Sequence, residues 1–510
     1  MRLLPASSLE TAGVAGSSRD QPDPAVARLQ RPRSLDAIGV VAGGATIAGA
    51  LAVLGTYLGL LASGHWYIDE FIVFAGYRDG GWLSLWDRIV SWSPRPISEP
   101  LFMLYARFVA VADKPLVLWM LGTLWLGFLL SALATARWRR PGLVWRLAAG
   151  LSLLAILVAS RQPGQVFYWP AGAVAYLPAC AALTCALFLL ADGRAATRAG
   201  NRWLTAALVL AAWSCETGAI FGACFAGLCL VDQGVNRPSQ PRSERFLAGS
   251  AVVLAASLLV LMLMALHRGS LAGEMPDGSA KLMHHPVASF IRALQALPFD
   301  LLTASGTLGW SDASWGDLGH GILVRVALMA GFAVCWMLSG LGRPSRRRLV
   351  IFCLAGLATG WLALAASEYQ FGQACCARHA SFREVAFLLG LAALAIALPR
   401  DLLAAPTRLT LSVTAAGLLL AAMFAAVGPL VPGLRQDYAM RPRVRAITAA
   451  NWASGRSPGP AMAYRQYPQQ SIMVSFLVPA GSYTFGPEAP WYARAIMSYF
   501  HKQSLTILPP

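Results

Sequence analysis

The sequence predicts an all-α, polytopic integral membrane protein: about 11 transmembrane helices, with long outer loops that carry interfacial helices. Three observations lead there. Of 510 residues, 57% are hydrophobic and 13% charged, against about 25% charge in a soluble domain. Apolar runs recur at about the 20 residues that a bilayer crossing needs. Lys and Arg collect between alternate runs, as membrane topology requires. Together these exclude a soluble globular enzyme, a disordered chain and a coiled coil. The formal net charge of +17 is carried mostly by Arg placed between apolar runs. That points to topology and not to nucleic acid, for which nothing in the sequence speaks.

The elements follow in order. Residues 1–36, rich in Pro, Ser, Ala and Arg, read as a disordered cytoplasmic leader. They are too polar for a cleaved signal peptide, and the first apolar run is too long for a signal core. Spans are predicted at 37–62, 115–136, 143–160, 172–191, 247–266, 321–340, 349–367, 385–399 and 409–431. The apolar stretch 203–231 is broken near Glu216 and reads as a hairpin of two short helices. Segments 97–112 and 286–304 are only moderately apolar and are bounded by charge. Counting either as a span would invert the charge asymmetry downstream, so both are placed in the interface. Residues 432–510 contain no span and read as an outer, periplasmic C-terminal extension packed on the loops.

With the N-terminus cytoplasmic, the inner segments hold 21 of the 41 Lys and Arg in 88 residues, and the outer loops hold 11 in 134. The threefold difference in density supports this orientation. Seven of the nine cysteines lie in apolar runs, where they pack as small hydrophobes; Cys375 and Cys376 are adjacent in a loop. No disulfide framework and no Cys/His metal spacing is present. The outer loops 63–114 and 267–319 carry Trp, Pro and 11 acidic residues, among them Glu274, Asp277 and Asp312. All seven His fall on the same side, so chemistry is expected there.

Asp69-Glu70 directly follows the first span. An acidic pair at that mouth suits proton abstraction from an acceptor hydroxyl or a divalent metal such as Mg or Mn. Arg95, between Pro94 and Pro96, sits on stiff backbone and suits a phosphate or a lipid headgroup. Tyr168 and Trp169, in Gln165–Tyr176, suit a sugar ring or a prenyl chain, or an aromatic belt. Glu216 is a carboxylate inside an apolar hairpin, which is costly unless it binds something. Arg378, His379 and Arg383 form the last outer loop and suit a cationic clamp on a phosphate leaving group. His284-His285 is a weaker metal or phosphate candidate. No P-loop, dinucleotide fingerprint, nucleophile elbow or zinc motif occurs.

On these residues the chain resembles the GT-C fold glycosyltransferases, which use polyprenyl-phosphate-linked sugars. Asp69-Glu70 stands where that superfamily carries its acidic motif, and Arg378 or Arg383 where it carries basic residues for the lipid phosphate. Tyr168–Gly172 and Ser93–Pro96 are also similar to an uncharacterised bacterial multi-pass family grouped with it. The resemblance covers 37–431 as topology and a few short motifs as residues, and there is no DxD. It implies a GT-C-like domain over 37–431 in the bacterial inner membrane. There a sugar would pass from a polyprenyl-phosphate donor to a glycan or lipid acceptor on the outer face, with first-loop aromatics covering the sugar. The rival readings are a polysaccharide polymerase or ligase, a lipid-linked-sugar transporter without covalent chemistry, and a non-enzymatic membrane scaffold.

Overall fold

The computed structural model describes residues 33–133, 142–161, 163–236, 241–270, 285–303, 314–339, 345–372, 377–398, 408–473 and 477–510. The leader up to residue 32, Glu274, Asp277, His284, Asp312, Cys375 and Cys376 lie outside the described residues.

Among the described residues 83% are helical. Apolar runs that meet no water must bond their backbone internally, and the helix does this within one segment. The first helix, α1, is Arg33–Gly59. The long first loop folds into α2, Ile68–Asp87, a turn Arg88–Trp92, and α3, Ser98–Ala112. Then come α4, Val117–Leu133, α5, Leu143–Val158, and a single helical turn Gly164–Tyr168 that leads into α6, Pro170–Ala191. The interrupted hairpin is α7, Arg198–Ser214, and α8, Glu216–Asn236. After it run α9, Pro241–Ser270, α10, Pro286–Leu302, α11, Trp315–Leu338, α12, Arg346–Phe371, and α13, Ala377–Ala397. Last in the apolar part is α14, Arg408–Val427.

Among the described residues eight helices are long and apolar enough to cross a membrane. Of the eleven crossings predicted, α4, α5 and α7 are shorter, at 17, 16 and 17 residues. Within the apolar part, α6 and α13 form the centre, each with 83% of its most apolar stretch buried in the protein. The outer helices differ: the corresponding stretch of α1 is only 28% buried although its mean hydropathy is 2.1. Apolar side chains such as Val41, Leu126, Met262 and Phe424 face outward, as helices surrounded by lipid do. α12 packs on α13, α11 on α14, α8 on α9, and α1 on α5. The two segments placed in the interface are helices, α3 against α2 and α6, and α10 against α12.

The C-terminal part departs from an all-helical chain. α15, Val431–Arg456, continues α14 through the turn Gly428–Leu430 and is studded with arginine. Three short strands follow, β1 at Ala461–Arg465, β2 at Gly481–Thr484 and β3 at Ser504–Leu508, with α16, Trp491–Phe500, between β2 and β3. β3 is central, parallel to β1 and antiparallel to β2. Alternation buries Met462 and Tyr464 on β1 and Leu505 and Ile507 on β3, the period of two that a one-faced sheet needs. α16 packs on α2, where the Arg78 guanidinium donates to the Tyr499 carbonyl at 2.8 Å. The buried Asp437 carboxylate of α15 accepts from the amides of Ser471, Ile472 and Met473 at 2.7–2.8 Å, pinning the loop before β2.

Asp437→Asn turns one acceptor oxygen into a donor facing amides. The expected cost is about 1–3 kcal/mol, read as a lower unfolding temperature in detergent and faster proteolysis between residues 465 and 481.

Candidate functional site

The site begins where α2 starts. The Tyr67 amide donates to Glu70 Oε2 at 2.8 Å, closing a capping box. Glu70 Oε1 accepts from the Ala171 amide, the second residue of α6, at 2.9 Å. Glu70 is fully buried, so one carboxylate joins the N-termini of two helices. Gly172 keeps this junction close, because a Cβ there would collide with the Gln165 carbonyl oxygen. Burial pushes the Glu70 carboxyl up to about 8, the neighbouring Asp69 charge adds to this, and the Ala171 and Tyr67 amides oppose it.

Asp69 points elsewhere. It lines a cavity of about 420 Å³. Gln165 and Arg378 make up the rest of its polar wall, and Tyr67, Trp169, Trp491 and Tyr492 supply rings. Ile68, Leu477, Val478 and Pro479 complete an apolar side. The Arg378 guanidinium lies 5.3 Å from the centre of a Trp169 ring, and its amide donates to Gln165 Oε1 at 3.1 Å. Burial raises the Asp69 carboxyl above the usual range, while the charges of Arg378, Arg88 and Arg95 pull it back.

Behind the cavity, Arg95 forks onto Glu216 with four N–O distances of 3.0–3.2 Å. The Arg95 guanidinium is 6.0 Å from the Tyr176 ring centre, and the Tyr176 hydroxyl is 3.4 Å from His379 Nδ1. This explains the break in the apolar hairpin. At Cys215 the chain leaves the helix, and the first loop docks on the freed carbonyls. The Ile97 amide donates to Trp213 O, and the Ser98 hydroxyl lies 2.8 Å from Ser214 O. Arg88 pairs with Glu99 at 2.9 Å, and the Tyr77 hydroxyl donates to the same carboxylate at 2.6 Å.

Several sequence expectations are corrected. Arg378 and Arg383 do not form one clamp. Five residues on a helix place them about 140° apart, and Arg383 is fully buried with Asp300 at 2.7 and 2.8 Å. Arg161, Arg325 and Glu384 complete that separate cluster. Tyr168 stacks on no ligand surface: it is buried and donates to the Tyr57 carbonyl at 2.8 Å. Of the first-loop aromatics only Tyr67 lines the cavity; Trp66 is packed among Phe71, Phe74 and Tyr105. Glu70 keeps no open face, since both oxygens hold amides. His379 stands behind the cavity wall, against Tyr176. The wall from 477–492 was not foreseen; the only cue was the Trp491-Tyr492 pair at a helix start.

Among the described residues no three His, Cys, Asp or Glu side chains gather as a metal site. With both Glu70 oxygens committed, Asp69 is, among the described residues, the one carboxylate facing the cavity, beside a guanidinium. These residues do not fit a divalent ion. Compared with protein-family models, curated proteins and solved structures, the chain gives no match.

Two outcomes follow. Arg383→Ala takes both short hydrogen bonds from the buried Asp300 and leaves it only Arg161 at 3.5 Å, which should cost about 3–5 kcal/mol, seen as loss of folded protein on size exclusion, whereas Arg378→Ala should leave the fold intact. Glu70 holds its proton more tightly when folded, so its stabilisation is complete below its ordinary value of 4.5 and is lost as pH rises through about 8. Melting curves of Glu70→Gln should lack that alkaline loss.

Proposed function

We propose that this chain is a membrane glycosyltransferase. It moves a sugar from a polyprenyl-phosphate donor to a glycan or lipid acceptor on the outer face of the bacterial inner membrane, with its N-terminus cytoplasmic and its C-terminal unit periplasmic. One observation carries the reading: a lone carboxylate, a guanidinium and four aromatic rings line the same cavity. Carboxylate and guanidinium are the two charges that displacement at an anomeric carbon asks for, and rings suit the apolar faces of a sugar. A transporter reading asks for charges left open between helices, yet Glu216 is held by Arg95.

The step balances as follows. The acceptor oxygen forms a bond to the anomeric carbon as its proton passes to Asp69. The bond from that carbon to the phosphate oxygen breaks, and its electron pair leaves on polyprenyl phosphate. Arg378 takes up the charge that develops there. Trp169 and Tyr67 cover the sugar and keep water away. Glu70 positions Asp69 and does not touch the reacting atoms. Arg95 holds Glu216, and its part is to fix the loop.

With purified protein and a panel of polyprenyl-phosphate sugars, Asp69→Ala should lower transfer by about 10²–10⁴, with unchanged insertion and melting. Full activity in that variant ends the proposal. The pH–rate profile should rise with pH, since the base must be ionised, with its limb above the ordinary carboxylate value because burial raises Asp69. Arg378→Ala removes the nearest counter-charge and should move that limb to still higher pH; a limb that stays put assigns it to another group.

A further inference from the structure

Three indoles of the first loop have no place in the cavity. Trp82, Trp86 and Trp92 are 72%, 67% and 49% exposed, with Leu83 beside them at 81%. α2 does not run straight to them. Gly81 has φ 55° and ψ −132° and breaks the helix into two limbs, a backbone conformation that favours glycine. The first limb buries Phe71, Val73, Phe74 and Tyr77. The second turns Leu85 inward and Trp82, Leu83 and Trp86 outward, and Val90 in the turn that follows is also exposed. α3, packed against α2, extends this apolar surface with Leu104, Phe108 and Val111. The turn Arg88–Trp92 touches α9, one of the helices apolar enough to cross a membrane.

We infer that residues 82–92 lie in the interfacial layer of a lipid bilayer, with Trp82, Trp86 and Trp92 as its anchors. The inference rests on the membrane reading above and goes beyond it. Indole has an apolar body and a polar N–H, and it concentrates at the headgroup level. The patch is continuous with the outward faces of α3 and α9, and the one guanidinium within it, Arg88, is neutralised by Glu99. A consequence concerns the cavity. Asp69 and Gly81 are twelve residues apart on one helix, about 18 Å, so anchoring the far limb sets the depth of Asp69 relative to the headgroups. A lipid-borne phosphate lies at that level.

The test uses the full-length protein in nanodiscs of phosphatidylcholine and phosphatidylglycerol containing a phospholipid with a diazirine near the top of its acyl chain. After irradiation, adducts are mapped by peptide mass spectrometry. Residues 82–92 should be labelled as heavily as Trp119 and Phe424, outward-facing residues of α4 and α14. Labelling of Trp119 and Phe424 with none on 82–92 overturns the inference alone. Absence at all three overturns the membrane reading with it. Gly81→Ala gives a second check. An added Cβ meets no atom within 4 Å, so the change acts through φ alone and should reduce labelling of 82–92. Unchanged labelling removes the hinge from the argument.

Discussion

Glu70 is fully buried, and a carboxylate taken out of solvent must find donors or take up a proton. Its donors come from the first turns of α2 and α6. The two helices are far apart in the chain, yet neither can start elsewhere without stranding that carboxylate. Asp69 is one residue before Glu70, and Trp169 is two residues before Ala171. The geometry of this part of the cavity is therefore inherited from bonds in which neither residue takes part. Burial raises the proton affinity of Asp69 and Glu70 alike, and the Asp69 charge raises that of Glu70 further.

The rest of the scaffold follows the same logic. Lipid is as apolar as leucine, so helices in a bilayer gain little from burying apolar surface against one another. Polar contacts then carry much of the specificity. Arg95 with Glu216 ties the first loop to α8, Ser98 on the open Ser214 carbonyl ties it to α7, and Arg88 with Glu99 closes the loop on itself. The cluster of Arg161, Asp300, Arg325, Arg383 and Glu384 fixes α10, α11 and α13 relative to one another. That cluster holds the helix from which Arg378 reaches the cavity.

The helical plan was legible in the sequence because its signal is local: an apolar run of sufficient length and the charge at its ends. The break at Glu216 was legible for the same reason, since a carboxylate interrupts such a run. Asp69, Trp169 and Arg378 were found from residue type and position. What local reading missed was direction. Arg378 and Arg383 look alike in sequence, and only the helical turn between them sends one to the cavity and the other to Asp300. Tyr168 and Trp169 are adjacent, and the end of a single helical turn sends one inward and the other out. The C-terminal wall was illegible because short strands forty residues apart leave no periodic trace, and their partners lie beyond any local window.

The cavity draws its walls from residues 67–69, 165–169, 378 and 477–492. During synthesis the carboxylate, the tryptophan and the arginine all leave the ribosome before the segment that closes the chamber over them. A nascent chain that has formed every earlier helix still presents an open groove, with Asp69 and Arg378 uncovered. The cavity is therefore complete only once residues 477–492 have folded, and a chain released before them lacks one of its walls.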